Sequence, residues 1–139
     1  MPALAGARIT VNAQRLVVSL PHTLLFASGG AELQPGGVEA VFILSGALAA
    51  LSNELEIIGH TDPQPVSDIR WRSNWELSLA RAAAVAQELR QAGYDKPLRV
   101  TGAGSGQFAL INPRLSLAAR YPLARRVDIV VRRNVGNRS

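Results

Sequence analysis

Cysteine is absent from the 139 residues, and lysine occurs only at Lys96. The missing cysteines exclude structural disulfides and thiolate metal sites, and say nothing about compartment. Aromatic residues make up 5% of the chain, and none are interleaved with the arginines as base-stacking platforms would be. The fifteen basic residues are spread out, adjacent only at Arg125-Arg126 and Arg132-Arg133, so the net charge of +5 is not expected to serve nucleic acid. Long apolar runs are missing too. The most apolar stretch, residues 40–51, is shorter than the roughly 20 residues that span a bilayer. Residues 1–7 lack the charged and apolar regions of a signal peptide. The chain is therefore expected to be soluble as given, alone or as part of a longer protein.

An apolar content of 47% with 18% charge describes a folded globule. The length suits one domain over residues 1–139, with a core over about 16–133 and flexible ends at 1–7 and 134–139. Residues 8–21, "RITVNAQRLVVSLP", read as β structure with a turn or bulge at Asn12, Ala13 and Gln14. "FASGGAELQPGG" reads as a loop, and apolar residues at 38, 41, 42, 44, 48 and 51 fit a covered helix. Residues 55–58 form a short strand that Gly59 bounds. Ser73-Asn74-Trp75-Glu76 matches a capping box that opens a second helix. Trp75, Leu79, Ala82, Ala86 and Leu89 make its apolar stripe, and Gly93 its stop. "LRVTGAG" reads as a strand, residues 105–121 as irregular or briefly helical, and "RRVDIVVRR" as the final strand. The order β-α-β-α-β-β predicts an α/β sandwich, a mixed sheet with two main helices on one face.

The segment of residues 55–93 carries the chemistry. Asn74 and Arg81 are seven residues apart, which sets them within about 20° on one side of a helix, with Ser78 between. If that helix packs on the sheet, Asp62 faces Arg81 across a small gap. A carboxylate, an amide and a guanidinium so placed suit a zwitterion, the acid holding an ammonium and the arginine clamping a carboxylate. The competing reading is that Asp62 and Arg81 only pair with each other and fix the loop. Trp71 is either tucked into the pocket wall or exposed as a contact.

Other constellations are thinner. His60 and Asp62 have no nucleophile elbow to orient. "GAGSG" lacks both the Lys-Ser/Thr of a phosphate loop and the dinucleotide spacing, so a tight turn explains its glycines. His22 and His60 make no recognisable metal set. No enzyme activity, cofactor or metal is expected.

"GHTD" after a strand, "NWELSLARA" opening a helix and "RRVDIVV" as the last strand resemble the OmpA-like (OmpA/MotB C-terminal) domain, over nearly the whole chain. The loop "TDPQPV…SNWELS" is similar in length to that of MotB-type flagellar stator proteins and type VI secretion anchors. The resemblance implies a non-catalytic periplasmic domain that binds peptidoglycan through the diaminopimelate of the stem peptide. It would tether the membrane-embedded subunits of an envelope machine to the wall. It implies that Asp62 receives the ammonium and Arg81 the carboxylate, with Thr61, Asn74 and Arg125 or Arg126 completing the pocket, and that the domain can form a homodimer. Departures occur at Ala124, where the family has asparagine, and at Ala103, Ser105 and Phe108 in place of Tyr, Glu and Pro. Ala27 and Gly29 stand where a polar residue is frequent. An interaction module that has lost wall binding is the alternative implication.

Overall fold

The computed structural model describes residues 2–51, 54–66 and 68–132. The expected flexible end at 134–139 lies outside the described residues. At the other end, Leu4 and Ala7, within the stretch expected to be flexible, pack against the core.

The alternating residues at the start of the chain form a hairpin of two strands, β1 (Arg8–Val11) and β2 (Arg15–Pro21). Asn12 makes the turn: its side-chain oxygen accepts the backbone N–H groups of Gln14 and Arg15 at 2.8 and 3.0 Å. A one-turn helix α1 (His22–Leu25) follows, and then α2 (Pro35–Ala49). The second helix starts three residues before the first expected position, because Pro35 fits the first turn, where no N–H is required. Strand β3 (Leu55–His60), helix α3 (Asn74–Gln91), strand β4 (Leu98–Gly102), helix α4 (Leu117–Ala124) and strand β5 (Arg126–Arg132) complete the order.

The five strands lie in the order β1-β2-β5-β3-β4, with β3 and β4 parallel and every other pair antiparallel. The mixed α/β architecture expected from the sequence is therefore present, with one extra strand from the hairpin. Alternate residues Val18 and Leu20, Leu55 and Ile57, and Val127, Ile129 and Val131 face Val41, Leu44 and Leu48 of α2 and Ala82, Val85 and Leu89 of α3. Each such fully buried aliphatic side chain contributes about 1.5–3 kcal/mol. The other set of alternate residues, among them Val17, Ser19, Ile58, Asp128 and Val130, looks out on the opposite face.

Two sequence expectations change here. Gly59 does not end β3. The strand runs on to His60, and glycine is needed because a Cβ there would lie 2.0 Å from the Ser78 carbonyl oxygen of α3. Trp75 is not on the buried stripe: it is 56% exposed, and the buried side of α3 is Leu77, Ser78, Arg81, Ala82, Val85, Ala86 and Leu89. The stripe is rotated because the helix must bring its backbone, not a large side chain, against Gly59 and against Gly102, where a Cβ would meet Leu79 at 2.8 Å.

Candidate ligand-binding site

The close approach at Gly59 decides where the site forms. It presses the N-terminal half of α3 against the end of β3, where the chain leaves the sheet through Thr61 and Asp62. The Thr61 N–H donates to the Gly104 carbonyl at 2.8 Å, and its hydroxyl donates to the Asp62 carbonyl at 2.9 Å. Asp62 then turns the loop, its Oδ1 accepting the Gln64 N–H at 2.8 Å. Ser73 caps α3 by accepting the Glu76 N–H at 3.1 Å, as the capping box predicts, but the Glu76 carboxylate returns to the N–H of Arg72 rather than to Ser73. Asn74 ties the two together, donating to the carbonyls of Asp62 and Gln64 at 3.3 and 2.9 Å.

Asp62, Asn74 and Arg81 all border one cavity of about 250 Å³, with Thr61 and Arg125. Among the described residues Asp62 and Arg81 do not pair with each other, as the competing reading had them do. The Asp62 Oδ2 is paired instead with the Nε of Arg125, whose other arm donates to Gln64 Oε1 at 3.1 Å. The Arg81 Nε donates to the Gly30 carbonyl at 2.8 Å, and its guanidinium lies 5.0 Å from the centre of the Phe26 ring. Among the described residues no carboxylate reaches Arg81. Burial and the neighbouring Arg125 pull its pKa down to about 10, so it stays cationic at neutral pH.

Two expected members lie elsewhere. Arg126 points to the other face of the sheet, where its Nε is 3.0 Å from Asp128 and its Nη1 donates to the Leu123 carbonyl. Ser78 is fully buried, donating to the Trp75 carbonyl and accepting the Gly104 N–H, so it braces α3 and does not face a ligand.

The cavity also holds His22, which sequence reasoning did not place, and Trp71, for which it left two positions open. His22 lines it, and burial, then Arg81 and Arg125, lower its pKa to about 4 against the opposing pull of Asp62, leaving a neutral imidazole. Trp71 forms part of the wall, its indole N–H donating to the Gly29 carbonyl at 2.9 Å. Arg70 reaches the same carbonyl at 3.4 Å and pairs with Asp68 at 2.7 Å, holding the Asp68 carboxyl down to about 2. The carbonyls of Gly29 and Gly30 thus latch the 62–74 loop and Arg81 to the segment after α1.

Residues 25–120 match the OmpA family, and the chain belongs to it. Motility protein B of Escherichia coli K12 is 34% identical over 111 residues, 73% of this chain and 36% of that protein. The uncharacterized protein YtxE of Bacillus subtilis is 35% identical over 72 residues, 52% of this chain and 30% of that protein. The chain thus spans about a third of these curated relatives. Among solved structures, the cell wall anchor of the type VI secretion system of Pseudomonas aeruginosa superposes with a TM-score of 0.77 at 27% identity, over 91% of this chain and 87% of that one. The periplasmic domain of Helicobacter pylori MotB shares the fold, with a TM-score of 0.82 at 24% identity over 95% and 85%. Among the described residues no helix is long and apolar enough to cross a membrane, and no group of three or more acidic or histidine residues could hold a metal ion.

Proposed function

We infer that the chain is a non-catalytic wall anchor that binds peptidoglycan in the periplasm by gripping the diaminopimelate of a stem peptide. One observation carries the reading: a buried guanidinium, Arg81, faces a cavity with no carboxylate partner among the described residues, while a buried carboxylate, Asp62, borders the same cavity. A buried charge without its counter-ion is costly, and a ligand carboxylate placed on Arg81 offsets that cost. The ligand ammonium comes to Asp62, whose two oxygens have lone pairs beyond those used by Gln64 and Arg125. A cavity of about 250 Å³ admits one such side-chain terminus, not a whole glycan repeat. The likeness to the cell wall anchor of the type VI secretion system, and the kinship with motility protein B, support the same reading. The machine that it would tether, through membrane-embedded subunits, and a homodimeric state belong to this proposal too.

The test is co-sedimentation with purified diaminopimelate-type sacculi, followed by titration with the corresponding muropeptide. A charge-assisted contact is worth about 1.5–3 kcal/mol, so Asp62→Ala and Arg81→Ala are each expected to weaken binding at least about tenfold. Unchanged binding in both variants would overturn the assignment and leave a module that meets another partner.

A further inference from the structure

The face of the sheet turned away from α2 and α3 carries a groove larger than the first cavity, about 680 Å³, which the wall-binding reading does not use. Its floor is made of outward residues of the strands, and its wall is the segment after β4, including Leu110, Ile111 and Leu115. Leu110 stands 78% exposed on the lip.

The floor has an uneven charge balance. Asp128 is buried there and is taken by Arg126 and by His60, whose Nε2 lies 3.2 Å away. Arg15 and Arg132 sit directly opposite each other on β2 and β5, a like-charge pair that disfavours the sheet unless anions intervene. Glu56 serves Arg132 at 2.8 Å. The guanidiniums of Arg8 and Arg15 have no acid within ion-pair distance among the described residues.

The register fixes how these two charges are spaced. Arg8 is level with Ser19, and Arg15 lies four residues back along β2, with Val17 and its neighbour Val130 midway. At about 3.4 Å per residue the two arginines are about 14 Å apart along the strand direction. In an extended peptide side chains on one side repeat every second residue, so acids at positions i and i+4 meet both arginines while an apolar residue at i+2 covers Val17.

We propose that this groove is a docking site for an extended segment of a protein partner with the pattern acid-x-apolar-x-acid. Charge complementarity selects an anionic occupant. The raised wall from residue 107 to 115 keeps a flat bilayer off the floor, and among the described residues no Phe, Tyr or Trp lines the groove for bases to stack on. Because the groove shares no lining residue with the Asp62 cavity at the strand ends, the domain can hold the wall and a partner at once.

The probe is a fluorescent peptide, Thr-Glu-Thr-Val-Thr-Glu-Thr, followed by anisotropy at low salt. The controls are a peptide with its two acids at i and i+2, the lysine counterpart, and vesicles of phosphatidylglycerol. The i, i+4 peptide is expected to bind at least about fivefold tighter than the i, i+2 peptide. The double variant Arg8→Glu, Arg15→Glu is expected to lose at least about tenfold and to gain the lysine peptide, with thermal midpoint and muropeptide binding unchanged. If the reversal costs stability, Arg8→Gln with Arg15→Gln gives the same test without new charge. Equal binding of the two spacings, indifference to both double variants, or binding to vesicles alone overturns the proposal. Its failure leaves the Asp62 site untouched, since neither arginine borders that cavity.

Discussion

Asp62 and Arg81 are buried to nearly the same extent, 6% and 5% exposed, yet the protein treats them differently. Both oxygens of Asp62 have internal partners, Gln64 and Arg125. Arg81 spends its Nε on a neutral carbonyl and has no acid partner among the described residues. One end of the cavity is therefore matched before any ligand arrives, and the other keeps a desolvated charge in want of an anion. It follows that a ligand carboxylate should be worth more to binding than a ligand ammonium.

The most severe way to break this contrast is to move its two ends apart. A Gly59→Ala side chain would drive into the Ser78 carbonyl, pushing α3, which carries Asn74 and Arg81, off the strand that delivers Asp62. The expected loss is about 3 kcal/mol of stability in urea denaturation, with wall binding lost in whatever folds. A Gly59→Ala protein as stable as the parent would show that the close approach is not what builds the site.

The contrast itself is sharpened with modified ligands. Amidating the side-chain carboxylate of a diaminopimelate tripeptide is expected to weaken binding at least about tenfold, and acetylating its amine only about threefold. Reversal of that order in calorimetric titrations would mean that Asp62 is the dominant end. The same titrations separate the two adjacent arginines. In Arg125→Ala the Asp62 carboxylate loses its internal cation, so acetylation should then cost at least as much as amidation. Arg126→Ala, on the far face, should leave both penalties within about twofold of the parent.

The smallest effect concerns acid. With His22 at about 4 in the folded protein against 6.5 for the free side chain, the unfolded chain takes up a proton between those values that the folded chain refuses. This contribution to stability is complete above pH 6.5 and is lost as pH falls toward 4. In His22→Asn the fall in thermal midpoint between pH 6.5 and 4.5 should be shallower. An unchanged slope would remove His22 from the account.

The sequence made some of these parts readable and hid others for physical reasons. Asn74 and Arg81 were legible because helical repetition fixes their common side, and Asp62 because it follows a strand directly. The choice between Arg125 and Arg126 was also open to alternation: Val127, Ile129 and Val131 face the helices, so Arg126 and Asp128 must face the other way. Trp75 misled because an apolar pattern reports what a helix can bury, not how far a glycine on a neighbouring strand rotates it. The carbonyls of Gly29 and Gly30 had no signature at all, since main-chain acceptors are the same in every residue. Nor did His22, which reaches the cavity only because β2 pairs with β5 and ends beside Arg125, whose carbonyl accepts the His22 N–H at 3.0 Å.

The place of β5 has a consequence for how the chain comes to be. Of the five strands among the described residues it is the last in chain order, yet it lies third in the sheet, between β2 and β3. Until it emerges from the ribosome, the hairpin and the β3-α3-β4 unit have no shared ladder, so the domain is finished from its middle. A chain truncated before Arg126 should keep no ladder between its hairpin and its β3-α3-β4 unit, and assembly of the intact one must wait for contacts of long sequence separation, which makes it slow.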